Sequence, residues 1–222
     1  MKKFIVIGLG VFGYSLSKKL VERGCEVLAV DRDMDKIEQI QNEVTHALCL
    51  DSTDEKALTS IGLKDFDTGI VCIGENFEAC LLTSVLLKNA GIRKVISRAS
   101  NPLHIKILQA VRIDEIITPE AEAAERQSYT LSHDSILDMV HIDQETSVAK
   151  IEAPREFVGK SIGKLSLRAK FGVNVISING AEAATRGKTT ISNPGAETII
   201  HEKDILMMIG PPESFERLQR SN

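Results

Sequence analysis

Three glycines fall within six residues in Gly8-Leu9-Gly10-Val11-Phe12-Gly13, between a short apolar run and the start of a helix. Gly8 suits a tight turn, Gly10 lets the backbone approach a phosphate closely, and Gly13 lets the helix pack on the preceding strand. Val11 and Phe12 lie in the segment whose exposed N–H groups form an anion site at the helix start. Asp31 stands eighteen residues beyond Gly13, where a second strand should end. A carboxylate there accepts hydrogen bonds from a ribose diol and repels a 2′-phosphate. Strand, glycines, helix, strand and acid in register point to an adenosine nucleotide, against the alternative of a purely structural turn.

Other strand ends should line the same crevice, because ligands of such sheets bind outside the carboxyl ends of the strands. Asp51-Ser52-Thr53 follow the third strand. Either Asp51 or Ser52 meets adenine or ribose, or the segment caps the helix that starts at residue 54. Ile73-Gly74-Glu75-Asn76 follow the fourth strand. Gly74 can admit ribose or phosphate, and Asn76 equally reads as an N-cap. Arg98 closes the fifth strand, either within reach of phosphate oxygens or as a surface arginine. Thr118-Pro119-Glu120 opens a helix, with Pro in the first turn and an acid suited to the helix dipole. Spacing alone makes Glu120 structural, since a carboxylate facing phosphates needs a cation between them. The charges following Asp31, from Arg32 to Lys36, read as a solvated face. His46, His104, His133, His141 and His201 show no metal-ligand spacing, and Cys25, Cys49, Cys72 and Cys80 form no CxxC pair. The cysteines read as reduced thiols of a cytosolic protein, packed as small hydrophobes.

The elements that must position these residues alternate regularly through residue 118. Strands are predicted at 4–8, 26–31, 47–50, 69–73, 94–97 and 115–117, with helices at 13–23, 34–43, 54–61, 77–89 and 102–111. Six short strands alternating with helices give a doubly wound parallel sheet. The helix at 77–89 is apolar on most of its circumference, so it should bury itself against something beyond its own sheet. After a helix at 120–131 the pattern changes. Strands at 137–142 and 148–151, a helix at 162–169 and strands at 173–178 and 205–209 make a smaller α+β module, with a last short helix after Pro211-Pro212. The Gly- and Asn-rich stretch 179–195 reads as loops or a hairpin. The domains are therefore 1–134 and 135–222.

Composition narrows the function. The chain of 222 residues is 43% hydrophobic and 26% charged with net charge −4, which suits a folded soluble protein and offers no field to draw it to nucleic acid or anionic lipid. No apolar stretch approaches the roughly 20 residues of a membrane span, and Met1-Lys2-Lys3 leads straight into a strand rather than a signal peptide.

Ile7–Gly13, Glu26–Asp31, Thr45-His46-Ala47, Cys72-Ile73-Gly74, Ile117–Glu120, Gly159–Ile162 and Leu167–Gly172 together resemble the RCK regulators of bacterial potassium uptake, in the single-copy Ktr form. The resemblance covers nearly the whole chain. It implies an RCK N-domain and a smaller RCK C-domain, dimers assembling into an octameric ring, and a cytoplasmic position under a membrane-embedded potassium-translocating partner of KtrB or TrkH type. It implies ATP, ADP or NAD(H) in the N-domain, held by Gly8, Gly10, Phe12, Gly13, Asp31, Asp51, Thr53, Gly74, Asn76 and Arg98. Val11, Arg32, Ser52 and Ile73 belong to the same strand ends. Glu120 matches an acidic position that helps hold a cation (Mg, Ca or Na) near the phosphates. Relatives often carry arginine where this chain has Val11, which leaves Arg32 and Arg98 to meet a γ-phosphate. Some relatives bind cyclic di-AMP in the C-domain, where Arg168, Ala169, Ile178 and Pro194 occupy comparable stretches. The function implied is a non-enzymatic nucleotide-sensing gate. An NAD-dependent oxidoreductase is the competing class, though the second half offers His141 and His201 without an acid–base constellation. A redox-sensing transcription factor would need a basic recognition helix that the sequence lacks.

Overall fold

The computed structural model describes residues 1–133, 135–180 and 190–220, with the backbone alone at 219 and 220. The chain forms two compact units, Met1–Ala121 and Glu122–Asn222. Asp134, where the sequence places the domain boundary, lies outside the described residues.

The first unit alternates β1 (Lys3–Ile7), α1 (Val11–Glu22), β2 (Glu26–Asp31), α2 (Met34–Ile40), β3 (His46–Cys49), α3 (Glu55–Thr59), β4 (Thr68–Val71), α4 (Phe77–Asn89), β5 (Lys94–Arg98), α5 (Pro102–Ala110) and β6 (Glu115–Ile117). The six strands pair in parallel in the order β3-β2-β1-β4-β5-β6, the expected doubly wound sheet. β1 reads as an unbroken apolar run because both its faces are covered. Ile5 and Ile7 pack with Leu28, Val30 and Val71 on one side, and Val6 packs with Val27, Ile70 and Cys72 on the other. Winding proceeds outward from β1 to β3, then returns to β4 beside β1. That reversal leaves a crevice at the carboxyl ends of β1 and β4.

α2 and α3 are shorter than the expected 34–43 and 54–61, and two further features differ from the sequence expectation. α1 starts at Val11, two residues early, because Gly10 serves as its N-cap. α4 has the expected span but a partly polar buried face: Cys80, Thr83 and Ser84 are buried alongside Leu86 and Leu87, while Leu82 is 42% exposed.

α6 (Pro119–Ser132) carries the chain from the first unit into the second. There β7 (Ile136–His141), β8 (Ser147–Glu152), α7 (Ile162–Leu165), α8 (Leu167–Phe171), β9 (Asn174–Asn179), β10 (Thr190–Ser192), β11 (Ile205–Gly210) and α9 (Pro212–Arg220) follow. The strands form an antiparallel sheet in the order β10-β9-β11-β8-β7. β8 alternates cleanly, with Ser147, Ala149 and Ile151 buried, and its inner residues join Ile136, Met139, Leu206, Met208 and Phe215 in a second core. The single helix expected at 162–169 is two short ones, because Ser166 adopts a left-handed conformation (φ 49°) that ends α7. Of the stretch 179–195, β10 pairs antiparallel with β9, as in a hairpin, and residues 181–189 lie outside the described residues.

Candidate functional site

The reversal point holds a cleft of about 510 Å3, lined from β1, β2, β3, β4 and β5 and the first turn of α6. Every residue expected to hold the nucleotide lines it except Gly13.

The glycine loop forms the centre. Gly8 has φ 94°, a conformation open chiefly to glycine, and its amide donates to the Val30 carbonyl at 2.8 Å. A side chain at Gly13 would collide with the Gly8 carbonyl oxygen, so Gly13 secures helix against strand and does not face the cleft. Gly10 differs, because a Cβ there would meet nothing within 4 Å. α1 begins without any side-chain cap and without an acid in its first turn. By contrast α2, α3, α4 and α5 are capped by Asp33, Asp54, Asn76 and Asn101. The orphan N–H groups of α1 thus face the cleft, as an anion site requires. Val11 is 90% exposed beside them.

On the β2–β3 side, Asp31 is 8% exposed. Its Oδ2 accepts the Leu9 amide at 2.6 Å and its Oδ1 accepts the Asp33 amide at 3.0 Å. The carboxylate therefore pins the glycine loop while itself lining the cleft. Lys36 Nζ stands 3.5 Å from Asp31 Oδ2 and lines the cleft, so the expected solvated face is corrected at this position. Asp51 accepts the Thr53 hydroxyl (2.7 Å) and amide (2.9 Å), which hold its carboxyl below the usual range, helped by the charge of Arg32. α3 is capped by Asp54 instead, so Asp51 remains in the cleft wall. Ser52 is 6% exposed, its hydroxyl bonded at 2.8 Å to Thr83 of α4.

On the β4–β5 side, Asn76 accepts the Ala79 amide at 3.0 Å as the expected N-cap, and it also lines the cleft. Gly74 makes room for a neighbour within the protein, since a Cβ there would collide with Arg98 Nη1. The Arg98 guanidinium forks onto Glu120, Nη2 to Oε1 at 2.7 Å and Nε to Oε2 at 3.2 Å. Ile73 flanks this seat, and Cys72 lies beneath, its thiol pushed up to about 12 by burial against the opposing pull of Arg98. Four carboxylates (Asp31, Asp51, Glu75, Glu120) face three cations (Arg32, Lys36, Arg98) around the cleft. Backbone N–H groups, not net charge, must therefore hold an anion.

Among the described residues no group of three or more His, Cys, Asp or Glu can hold a metal ion. Glu120 alone is one donor, already engaged by Arg98, so a cation there would take its other ligands from phosphate oxygens. In the second unit, Ile178 is 2% exposed within the core and Arg168 and Ala169 lie on α8. Ile178 is paired on both sides, with Ile191 of β10 and Leu206 of β11.

The chain matches the TrkA-N domain over residues 4–119 and the TrkA-C domain over residues 148–221. It is 38% identical to the Ktr system potassium uptake protein C of Bacillus subtilis over 219 residues, which are 99% of this chain and 96% of that protein. It is 36% identical to the Ktr system potassium uptake protein A of the same organism, over 98% and 96% of the two. Among solved structures it is similar to the GsuK channel bound to NAD, with TM-score 0.64 and 16% identity, over 96% of this chain and 38% of that longer one. The last likeness concerns the fold.

Proposed function

Because this chain belongs to the TrkA-N/TrkA-C family and is kin to the Ktr potassium uptake proteins, we propose that it is the nucleotide-binding regulatory subunit of a potassium uptake system. It senses an adenosine nucleotide (ATP, ADP or NAD(H)) in the first unit and controls a membrane-embedded partner of KtrB or TrkH type. The observation that carries this reading is the cleft itself: an uncapped helix start over a glycine loop, with Asp31 on one side and Arg98 on the other. No helix among the described residues is long and apolar enough to cross a membrane, and the proposal assigns translocation to the partner, with this subunit at the inner face of the membrane.

The proposed action is a population shift, in which a nucleotide moves an assembly by binding its two shapes unequally. The assembly is a homo-oligomer built from dimers into an octameric ring. Residues 1–134 supply the sensor and 135–222 the second module, where cyclic di-AMP would meet Arg168, Ala169 and Pro194. A cation at Glu120 belongs to the same proposal. With Val11 in the loop, discrimination of ATP from ADP falls to Arg32 and Arg98. No catalytic step is assigned. The competing oxidoreductase would need an acid–base group over the nicotinamide, and no histidine lines the cleft.

The test is native mass spectrometry of the purified chain for a co-purifying nucleotide, with calorimetry of ADP binding to the parent and to Asp31→Ala. We expect Asp31→Ala to weaken ADP severalfold and, because it also strands the Leu9 amide, to lower the melting temperature. Equal affinities would reject the ribose contact, and potassium-uptake-deficient cells rescued equally by parent and mutant would reject nucleotide control.

A further inference from the structure

Arg98 has one fork and two claimants. The sheet order places Arg32, Lys36 and Asp31 on the β2–β3 side of the glycine loop, and Arg98 on the other. Its Nε and Nη2 are both committed to the Glu120 carboxylate, and Nη1 lies against Gly74. A phosphate that takes this same edge must displace Glu120, because the other edge of the guanidinium includes Nη1, which is packed against Gly74. We propose that Glu120 competes with the nucleotide's phosphate for Arg98, setting a threshold that phosphate must overcome to occupy the cleft.

The unequal burial of the pair decides which partner moves. The Arg98 side chain is 19% exposed and seated on Gly74, whereas the Glu120 side chain is 61% exposed. With no cation to hold it at the phosphates, Glu120 rehydrates at little cost when it leaves, and Arg98 stays to receive the phosphate. Because α6 opens at Pro119, the released carboxylate sits on the first turn of the helix that leads the chain out of the first unit. Arrival of phosphate is thereby written onto α6. A pair this exposed on one side is weak, so its removal should change affinity by about two- to fivefold.

The inference rests on the nucleotide reading above, and the experiment separates the two. Calorimetry with ADP and with adenosine, in EDTA, is run on the full chain as parent, Glu120→Gln, Arg98→Gln and the double mutant. Glu120→Gln should tighten ADP by about two- to fivefold and leave adenosine unchanged, because adenosine has no phosphate. Arg98→Gln should weaken ADP, and in that background Glu120→Gln should have no effect, the signature of a coupled pair. The proposal is overturned if Glu120→Gln leaves ADP affinity unmoved or lowers it, or tightens adenosine to the same degree. A parent that binds neither compound fails the nucleotide reading, and this inference falls with it.

Discussion

Gly10 and Gly13 share a loop yet answer to different constraints. Gly10 has φ −66° and ψ −177°, which any residue adopts, and open space where a Cβ would go. Gly13 is pressed against the Gly8 carbonyl. Gly10→Ala should therefore keep the melting temperature within about 2 °C while weakening ADP roughly tenfold, because its methyl group occupies the phosphate's approach. Gly13→Ala should lose both stability and binding. Thermal unfolding and calorimetry on the two mutants check this, and equal behaviour would show that the loop acts only as a scaffold. Most of the cleft was legible at this scale because glycine spacing and strand ends are local signals. Lys36 was not, since a lysine amid other charges looks like any solvated helix turn until the fold brings it beside Asp31. The Arg98–Glu120 fork spans twenty-two residues and needed the β5–β6 pairing to appear.

Helix α4 shows what hydropathy misses at the level of elements. Its span was readable from its Asn76 cap and apolar content, but Thr83 and Ser84 hide inside an apolar pattern. Thr83 is fully buried and bonds the Ser52 hydroxyl at 2.8 Å, tying α4 to the cleft wall after β3. Thr83→Val keeps the shape and strands the Ser52 hydroxyl, which should cost about 1–3 kcal/mol. Urea unfolding measures the loss, and Thr83→Ser should restore most of it. An unchanged midpoint would mean the hydroxyl pair contributes nothing. The break between α7 and α8 was equally unreadable, because Ser166 carries no glycine-like mark of the left-handed turn it makes.

For the whole molecule, strand–helix alternation foretold the parallel sheet, and the loss of that alternation foretold a second, antiparallel module. Assembly is harder to read from one chain. Of the leucines on the apolar helix α4, Leu86 is 8% exposed within the core, whereas Leu82 is 42% exposed and free to meet a second subunit. Leu82→Asp should thus lower the particle mass in light scattering with the fold retained, whereas an unchanged mass would place the contact elsewhere. Leu86→Asp would unfold the unit and says nothing about assembly. The thiol beneath the cleft bears on what such a particle responds to. With its pKa near 12, Cys72 is ionised in only about one molecule in 100,000 at neutral pH, and thiolate is the form that peroxides and electrophiles attack. Burial thus keeps this chamber's floor a poor target for oxidants, even with a sulfur lining it.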